Sequence, residues 1–213
     1  FVGKSRQLQF RTDQAAWVDG IYKPDRVLIV KPDEDTRNQG CDSRYLGGKS
    51  LEAKEFSAKD PRSIYDLITD DIKFLAIEEA HFCQIERPRG LQTLVKVVQE
   101  LSSKGLNIGV AGCDMDWRRN PLEVMAQLMG IAAFVSKLST ACTYDDCTAR
   151  ARYTQKFKKG GNQIPADYDS PLFEPGDAEM YAPRCRVHHY LEIPGDKKVG
   201  TNGSKARVLG NML

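Results

Sequence analysis

The chain has 213 residues, with 31 Lys and Arg against 29 Asp and Glu, for a formal net charge of +2. That length suits one good-sized domain, or a domain with a small satellite. Near-balanced charge gives no argument for a nucleic-acid or membrane partner, and no run of about 18 apolar residues offers a transmembrane helix.

The opening "FVGKSRQLQF" lacks the apolar segment of a signal peptide, although an upstream front would be able to carry one. Gly3-Lys4-Ser5 before an amphipathic stretch looks like the end of a phosphate-binding loop. In such a loop backbone N–H groups close around phosphate oxygens, the lysine neutralises the outer phosphates and the hydroxyl holds Mg²⁺. Taken alone, such a triplet is common, and a surface turn is the favoured reading. The composition from Arg6 to Trp17 permits a helix. "RVLIV", Arg26 to Val30, reads as a buried strand that stops at Lys31-Pro32. The polar, glycine-bearing stretch from Asn38 to Lys59 reads as a loop. "PRSIYDLI" starts with a proline suited to a first helical turn and places Ile64, Leu67 and Ile68 on one face.

"FLAI", Phe74 to Ile77, is a second buried strand ending in the carboxylates Glu78 and Glu79. An acid at a strand tip suits Mg²⁺ or a substrate hydroxyl, but it equally suits a helix N-terminus. "LQTLVKVVQEL" sets Leu91, Leu94, Val95, Val98 and Leu101 at helical spacing, and Gly105 closes that helix. "NIGVAG" predicts a third strand, Pro121 a helix start, and "AAFVSKL" a fourth strand. This alternation implies βαβ units and a mostly parallel sheet flanked by helices. Ligands collect beyond the carboxyl ends of such strands, where Lys31, Glu78, Glu79, Asp114 and Lys137 are expected.

After Ser139 cysteines, prolines, glycines and tyrosines replace the apolar periodicity as far as about Pro194. Cys142 and Cys147 are spaced C-x₄-C, and Cys185 and His188 C-x₂-H. Two such pairs across a long loop suit a structural Zn²⁺ site, which supplies folding energy that a small core cannot. His189 is an alternative fourth ligand. The six cysteines do not form a secreted disulfide framework and suit a reducing compartment, which predicts a cytoplasmic protein. The expected domains are 1–138, carrying the parallel sheet and the phosphate-loop remnant, and 139–194, holding zinc, with 195–213 a mobile tail.

In this order the segments resemble the cellular-type (class II) thymidine kinases from Phe1 to about Tyr190. "FVGKS" is similar to the end of that family's G-P-M-F-S-G-K-S/T loop, whose front would lie upstream. "VKPDEDTR" resembles K-P-x-x-D-x-R, "IEEAHF" resembles I-D-E-A/G-Q-F, and "GCDMDWRRNPL" resembles G-L-D-x-D-F-R-x-x-P-F. "VSKLSTAC", "ARYT" and "MYAPRCRVH" resemble three further segments in order.

The resemblance implies a P-loop (RecA-like) α/β fold with a small zinc-binding lasso domain. It implies ATP-dependent phosphorylation of the 5′-hydroxyl of thymidine or deoxyuridine, with Mg²⁺ and structural Zn²⁺. The alternative is a catalytically quiet nucleotide-binding protein of the same fold. Gly3, Lys4, Ser5, Asp35 and Glu78 would serve ATP and its metal, and Glu79 and Arg37 the phosphoryl transfer. Cys113, Trp117, Thr154, Phe173 and Tyr181 would line the nucleoside, with Trp117 stacking on its base. Cys142, Cys147, Cys185 and His188 would hold zinc. A homodimer or homotetramer is expected, with neither nucleic acid nor membrane as partner. The chain departs from the family pattern at Glu78, His81, Cys83 and Pro175 and in the wide C-x₄-C spacing.

Overall fold

The computed structural model describes residues 4–13, 26–35, 40–41, 51–84, 88–160, 163–174 and 179–192. These fall into two compact units, drawn from residues 3–114 with 121–136 and from residues 115–120 with 137–213.

The first unit is built on a parallel sheet of four strands in the order β4-β1-β5-β6. These are β1 (Val27–Pro32), β4 (Lys54–Phe56), β5 (Phe74–Ile77) and β6 (Asn107–Val110). Leu28 to Pro32 of β1 and Leu75 to Ile77 of β5 are buried without alternation. That is the pattern of strands covered on both faces. Helix α1 (Lys4–Asp13) lays Leu8 among Ile29, Ala53, Ala76 and Ala111. Helix α2 (Pro88–Ser103) buries Leu94, Val95, Val97, Val98 and Leu101. Its end is a Schellman turn: Leu106 N–H donates to Leu101 O and Gly105 N–H to Ser102 O. Gly105 sits at φ +87°, a conformation glycine takes without penalty. Helix α3 (Glu123–Ile131) buries Val124, Met125 and Leu128.

Several sequence expectations change here. Strand β1 does not stop before Lys31-Pro32 but includes them, because their partners are Glu55 and Phe56 of β4. Pro32 lacks a hydrogen for a further rung to β5, where pairing ends with Glu78 N–H donating to Val30 O. The stretch read as a loop holds this edge strand and the pair β2 (Gly40–Cys41) and β3 (Leu51–Glu52). Pro61–Leu67 is a 3₁₀ helix, capped by Asp60 and buried at Pro61 and Ile64. Pro121 lies ahead of α3, whose cap is Leu122. The expected fourth strand is absent: residues 132–139 make no ladder, and Phe134 is 94% exposed. Lys137 therefore does not stand at a strand end. The outer part of the predicted first helix, residues 14–17, lies outside the described residues, as do 195–213.

The second unit consists of short antiparallel pieces. Strand β7 (Thr140–Ala141) pairs with β8 (Arg150–Ala151), and β9 (Tyr153–Lys156) with β10 (Tyr181–Arg184). Its small apolar cluster is Cys142, Ala151 and Cys185, with Cys147 against it. No helix among the described residues is long and apolar enough to cross a membrane.

Candidate active site and metal centre

In the first unit the site begins where β5 runs out. Glu78 stays in line, 3% exposed, through its hydrogen bond to Val30. Glu79 then turns into the left-handed region at φ 46°. A residue with a Cβ resists that conformation by about 1–3 kcal/mol, and such strain concentrates at functional sites. The turn launches a 3₁₀ helix, Ala80–Gln84, anchored by Ala80 N–H on Ala111 O. It brings His81 back over the carboxylate, with Nδ1 3.2 Å from Glu79 Oε2. From the end of β6, Cys113 N–H donates to His81 Nδ1 at 3.4 Å. Gly112 makes this packing possible, since a Cβ there would meet Met125 Sδ at 2.7 Å.

Lys4, in the first turn of α1, donates from Nζ to Cys113 Sγ at 3.4 Å. Burial works against the charge on Lys4, but Cys113, Glu79 and Glu78 outweigh it and hold the ammonium above its ordinary value. Lys4, Glu78, Glu79 and Cys113 are thus brought together, joined by His81. Asp35 stands just past β1, its carbonyl accepting from Lys31 Nζ at 3.1 Å. Lys31 also faces Glu55 at 3.4 Å. Gly3, Arg37 and the side chain of Ser5 lie outside the described residues. A buried carboxylate beside a lysine supplies hard oxygen ligands and fits Mg²⁺ at Glu78.

In the second unit Cys142, Cys147, Cys185 and His188 place one donor atom each within 4.8 Å of one another. His188 Nδ1 lies 3.7 Å from Cys142 Sγ and 3.4 Å from Cys185 Sγ, and the Cys147 and Cys185 sulfurs are 4.0 Å apart. A tetrahedral zinc with bonds of about 2.3 Å to sulfur and 2.0–2.1 Å to nitrogen has edges of roughly 3.5–3.8 Å, so this set fits Zn²⁺. The wide C-x₄-C spacing is absorbed by a turn with Asp146 at φ 56°. Burial raises the Cys185 thiol, but the N–H groups of His188 and Val187 and the neighbouring thiols outweigh it and leave Cys185 below its usual value. The Ala149 backbone lowers Cys147, but burial, Cys142 and Cys185 outweigh it and push Cys147 up. Thiols this close do not all ionise without a cation among them.

The sequence left His188 and His189 as alternatives, and the geometry separates them. Arg119 Nε donates to His189 Nδ1 at 3.1 Å, so Nε2 carries the hydrogen. Nε2 donates to the carbonyls of Trp117 and Thr154, at 3.0 and 3.2 Å. Burial first, then the charge of Arg119, takes His189 down to about 4. It is a neutral pin under the Trp117 loop.

Trp117 is 3% exposed, with Arg118 4.5 Å and Lys156 5.6 Å from its ring centre. Its indole Nε1–H finds no hydrogen-bond partner among the described residues. Lys156 is buried and reaches Pro171 O at 2.6 Å and Glu174 Oε2 at 2.7 Å. Tyr181 donates its hydroxyl hydrogen to Glu174 O at 2.9 Å. Thr154 is exposed on β9 and Phe173 half-buried, while Pro175 lies outside the described residues. Sequence reasoning gave no site role to His81, Lys156 or the Glu174 side chain, and it offered His189 as a metal ligand rather than as the pin it is. Only His81 carried a signal, as a departure from the family pattern next to the strand-tip acids.

The family model described as Thymidine kinase matches residues 1–190. The chain belongs to the thymidine kinase family. This thymidine kinase family member is therefore a transferase that phosphorylates nucleosides, with ATP and a nucleoside as its substrates.

Proposed function

We propose that this kinase moves the γ-phosphoryl group of ATP to the 5′-hydroxyl of thymidine or deoxyuridine, with Glu79 as general base. The observation that carries the reading is the convergence of Glu79, Glu78 and Lys4 at the carboxyl end of the sheet. A primary hydroxyl is a weak nucleophile at neutral pH. A carboxylate that accepts its proton as the O–P bond forms lowers the barrier. Glu79 would take that proton, and the bond to the ADP oxygen would break on the opposite side. Lys4 and Arg37 would hold the charge spread over the phosphoryl oxygens, where most of the rate enhancement of such reactions arises. Mg²⁺, when bound, neutralises the outer phosphates, and Ser5 and Glu78 are the residues that would hold it. Gly3 would leave room for phosphate beside the backbone, and Asp35 would support Arg37.

Trp117, Thr154, Phe173, Tyr181 and Cys113 would read the base. The indole N–H of Trp117, without a partner among the described residues, supports this role. It is a donor of the kind that recognises a nucleobase carbonyl, and such groups discriminate more sharply than apolar walls. Zn²⁺ on Cys142, Cys147, Cys185 and His188 would hold the small second unit folded. Residues 1–138 would then form the ATP-binding domain and 139–194 the zinc-binding one. A cytoplasmic homodimer or homotetramer completes the proposal.

The test is phosphate transfer from ATP to thymidine, deoxyuridine, deoxycytidine and deoxyguanosine in parallel. Turnover confined to the first two is expected. Equal use of deoxyguanosine, or none of any nucleoside, would contradict the assignment.

A further inference from the structure

The three residues around the strand tip carry a second pattern. Glu79 offers a carboxylate oxygen, His81 an imidazole nitrogen and Cys113 a sulfur, all within 4.8 Å of one another. The 3.2 Å between His81 Nδ1 and Glu79 Oε2 is close to the edge of a zinc tetrahedron, roughly 3.4 Å for nitrogen and oxygen ligands at 2.0–2.1 Å. His81 Nδ1 also faces neighbours with opposite demands. A proton on it would suit the Glu79 oxygen but oppose the Cys113 N–H, while a bare lone pair would suit the N–H but repel the carboxylate. A cation between nitrogen and oxygen removes that repulsion.

The donor set is selective. A thiolate and an imidazole favour zinc-like ions over Mg²⁺, which prefers oxygen. Three protein ligands with a fourth position open mark an exchangeable site, whereas the complete four-ligand set of the other unit marks a structural one.

We propose that Glu79, His81 and Cys113 form a second, exchangeable site for a soft divalent cation such as Zn²⁺, and that filling it switches the kinase off. The cation takes the place of the Cys113 thiol proton, which leaves to solvent. Lys4 keeps its charge and gives up its hydrogen bond to sulfur. Glu79, now a ligand, no longer accepts the proton of a substrate hydroxyl. The binding of metal stands on the donor geometry alone, while the loss of turnover rests on Glu79 being the general base.

The full chain is first loaded with one equivalent of Zn²⁺ to fill the Cys142, Cys147, Cys185 and His188 set, then titrated with Co²⁺. A second equivalent should bind with a near-ultraviolet thiolate-to-cobalt absorption that is lost in Cys113→Ser and weakened in His81→Gln. In the unsubstituted protein, excess Zn²⁺ should slow alkylation of Cys113 by iodoacetamide, read by peptide mass spectrometry. No second equivalent, an absorption that survives Cys113→Ser, or alkylation indifferent to Zn²⁺ would overturn the site. Metal uptake with unchanged turnover would overturn the switch, and with it Glu79 as the base, while leaving the site in place.

Discussion

Replacing Glu174 by Gln should destabilise the second unit and loosen its grip on nucleoside. Lys156 has a side chain 1% exposed, held by Glu174 Oε2 at 2.7 Å, while Lys159 takes the other carboxylate oxygen at 2.9 Å. Glutamine keeps the shape but removes the charge, leaving a buried ammonium with Pro171 O and the Trp117 ring. Breaking a buried ion pair from one side costs about 3–5 kcal/mol. Glu174 is 23% exposed and Lys156 keeps two partners, so about 2–3 kcal/mol is expected here. The assay is urea unfolding followed by circular dichroism with zinc saturating. The pH dependence fixes the cause. Lys156 and then Lys159 hold the Glu174 carboxyl below its ordinary 4.5. Its stabilisation is therefore complete above that value and fades as pH falls through the folded-state pKa. Glutamine does not titrate, so the gap between the two proteins should close in acid. In the kinase assay KM for nucleoside should rise more than kcat falls. A difference below about 0.5 kcal/mol at pH 7, the range of an ordinary surface change, or one that does not vary with pH, would refute the reasoning.

Stripping zinc with a chelator should unfold the β9–β10 region, seen as lost amide protection at residues 153–156 and 181–184, while β1, β5 and β6 stay protected. Retention of both regions would argue against a structural metal. Cys83 is 2% exposed, and burial followed by the charge of Asp33 pushes its thiol up to about 12, so it should resist alkylation at pH 7.5 until the protein unfolds. Rapid labelling in the native state would contradict that burial. Phe134→Ser should change stability by no more than about 0.5 kcal/mol, since its ring is in solvent. A loss of several kcal/mol would mean that "AAFVSKL" is packed as the strand its composition suggested.

What the sequence made legible follows from where each residue's information resides. "FLAI" read as a strand because a strand covered on both faces needs an unbroken apolar run, while "NIGV", exposed at Asn107 and half-buried beyond it, was read from its short apolar run alone. Strand β4 escaped because it is an edge, with Lys54 and Glu55 exposed and only Phe56 buried. "AAFVSKL" misled for the opposite reason: an apolar run marks a strand only when a partner ladder receives it, and none does among the described residues. In the site, Glu79 was legible from its place after a strand. His81 was not, because its contact with Glu79 depends on a left-handed turn that no composition announces. Spacing exposed the Cys142, Cys147 and Cys185 set, but it was unable to choose between adjacent histidines. Arg119 and the carbonyls of Trp117 and Thr154 claim His189 and leave His188 to the thiols. Lys156 reads as an ordinary charge in a polar strand, and its burial comes from Glu174, far along the chain.

The account turns on Glu79 accepting a proton from a nucleoside hydroxyl, and Glu79→Gln tests it most directly. The amide preserves size and removes basicity, so ATP and thymidine should bind as before, by equilibrium dialysis, while kcat falls about 10²- to 10⁴-fold. A variant that binds both substrates and turns over at close to the original rate would contradict the account.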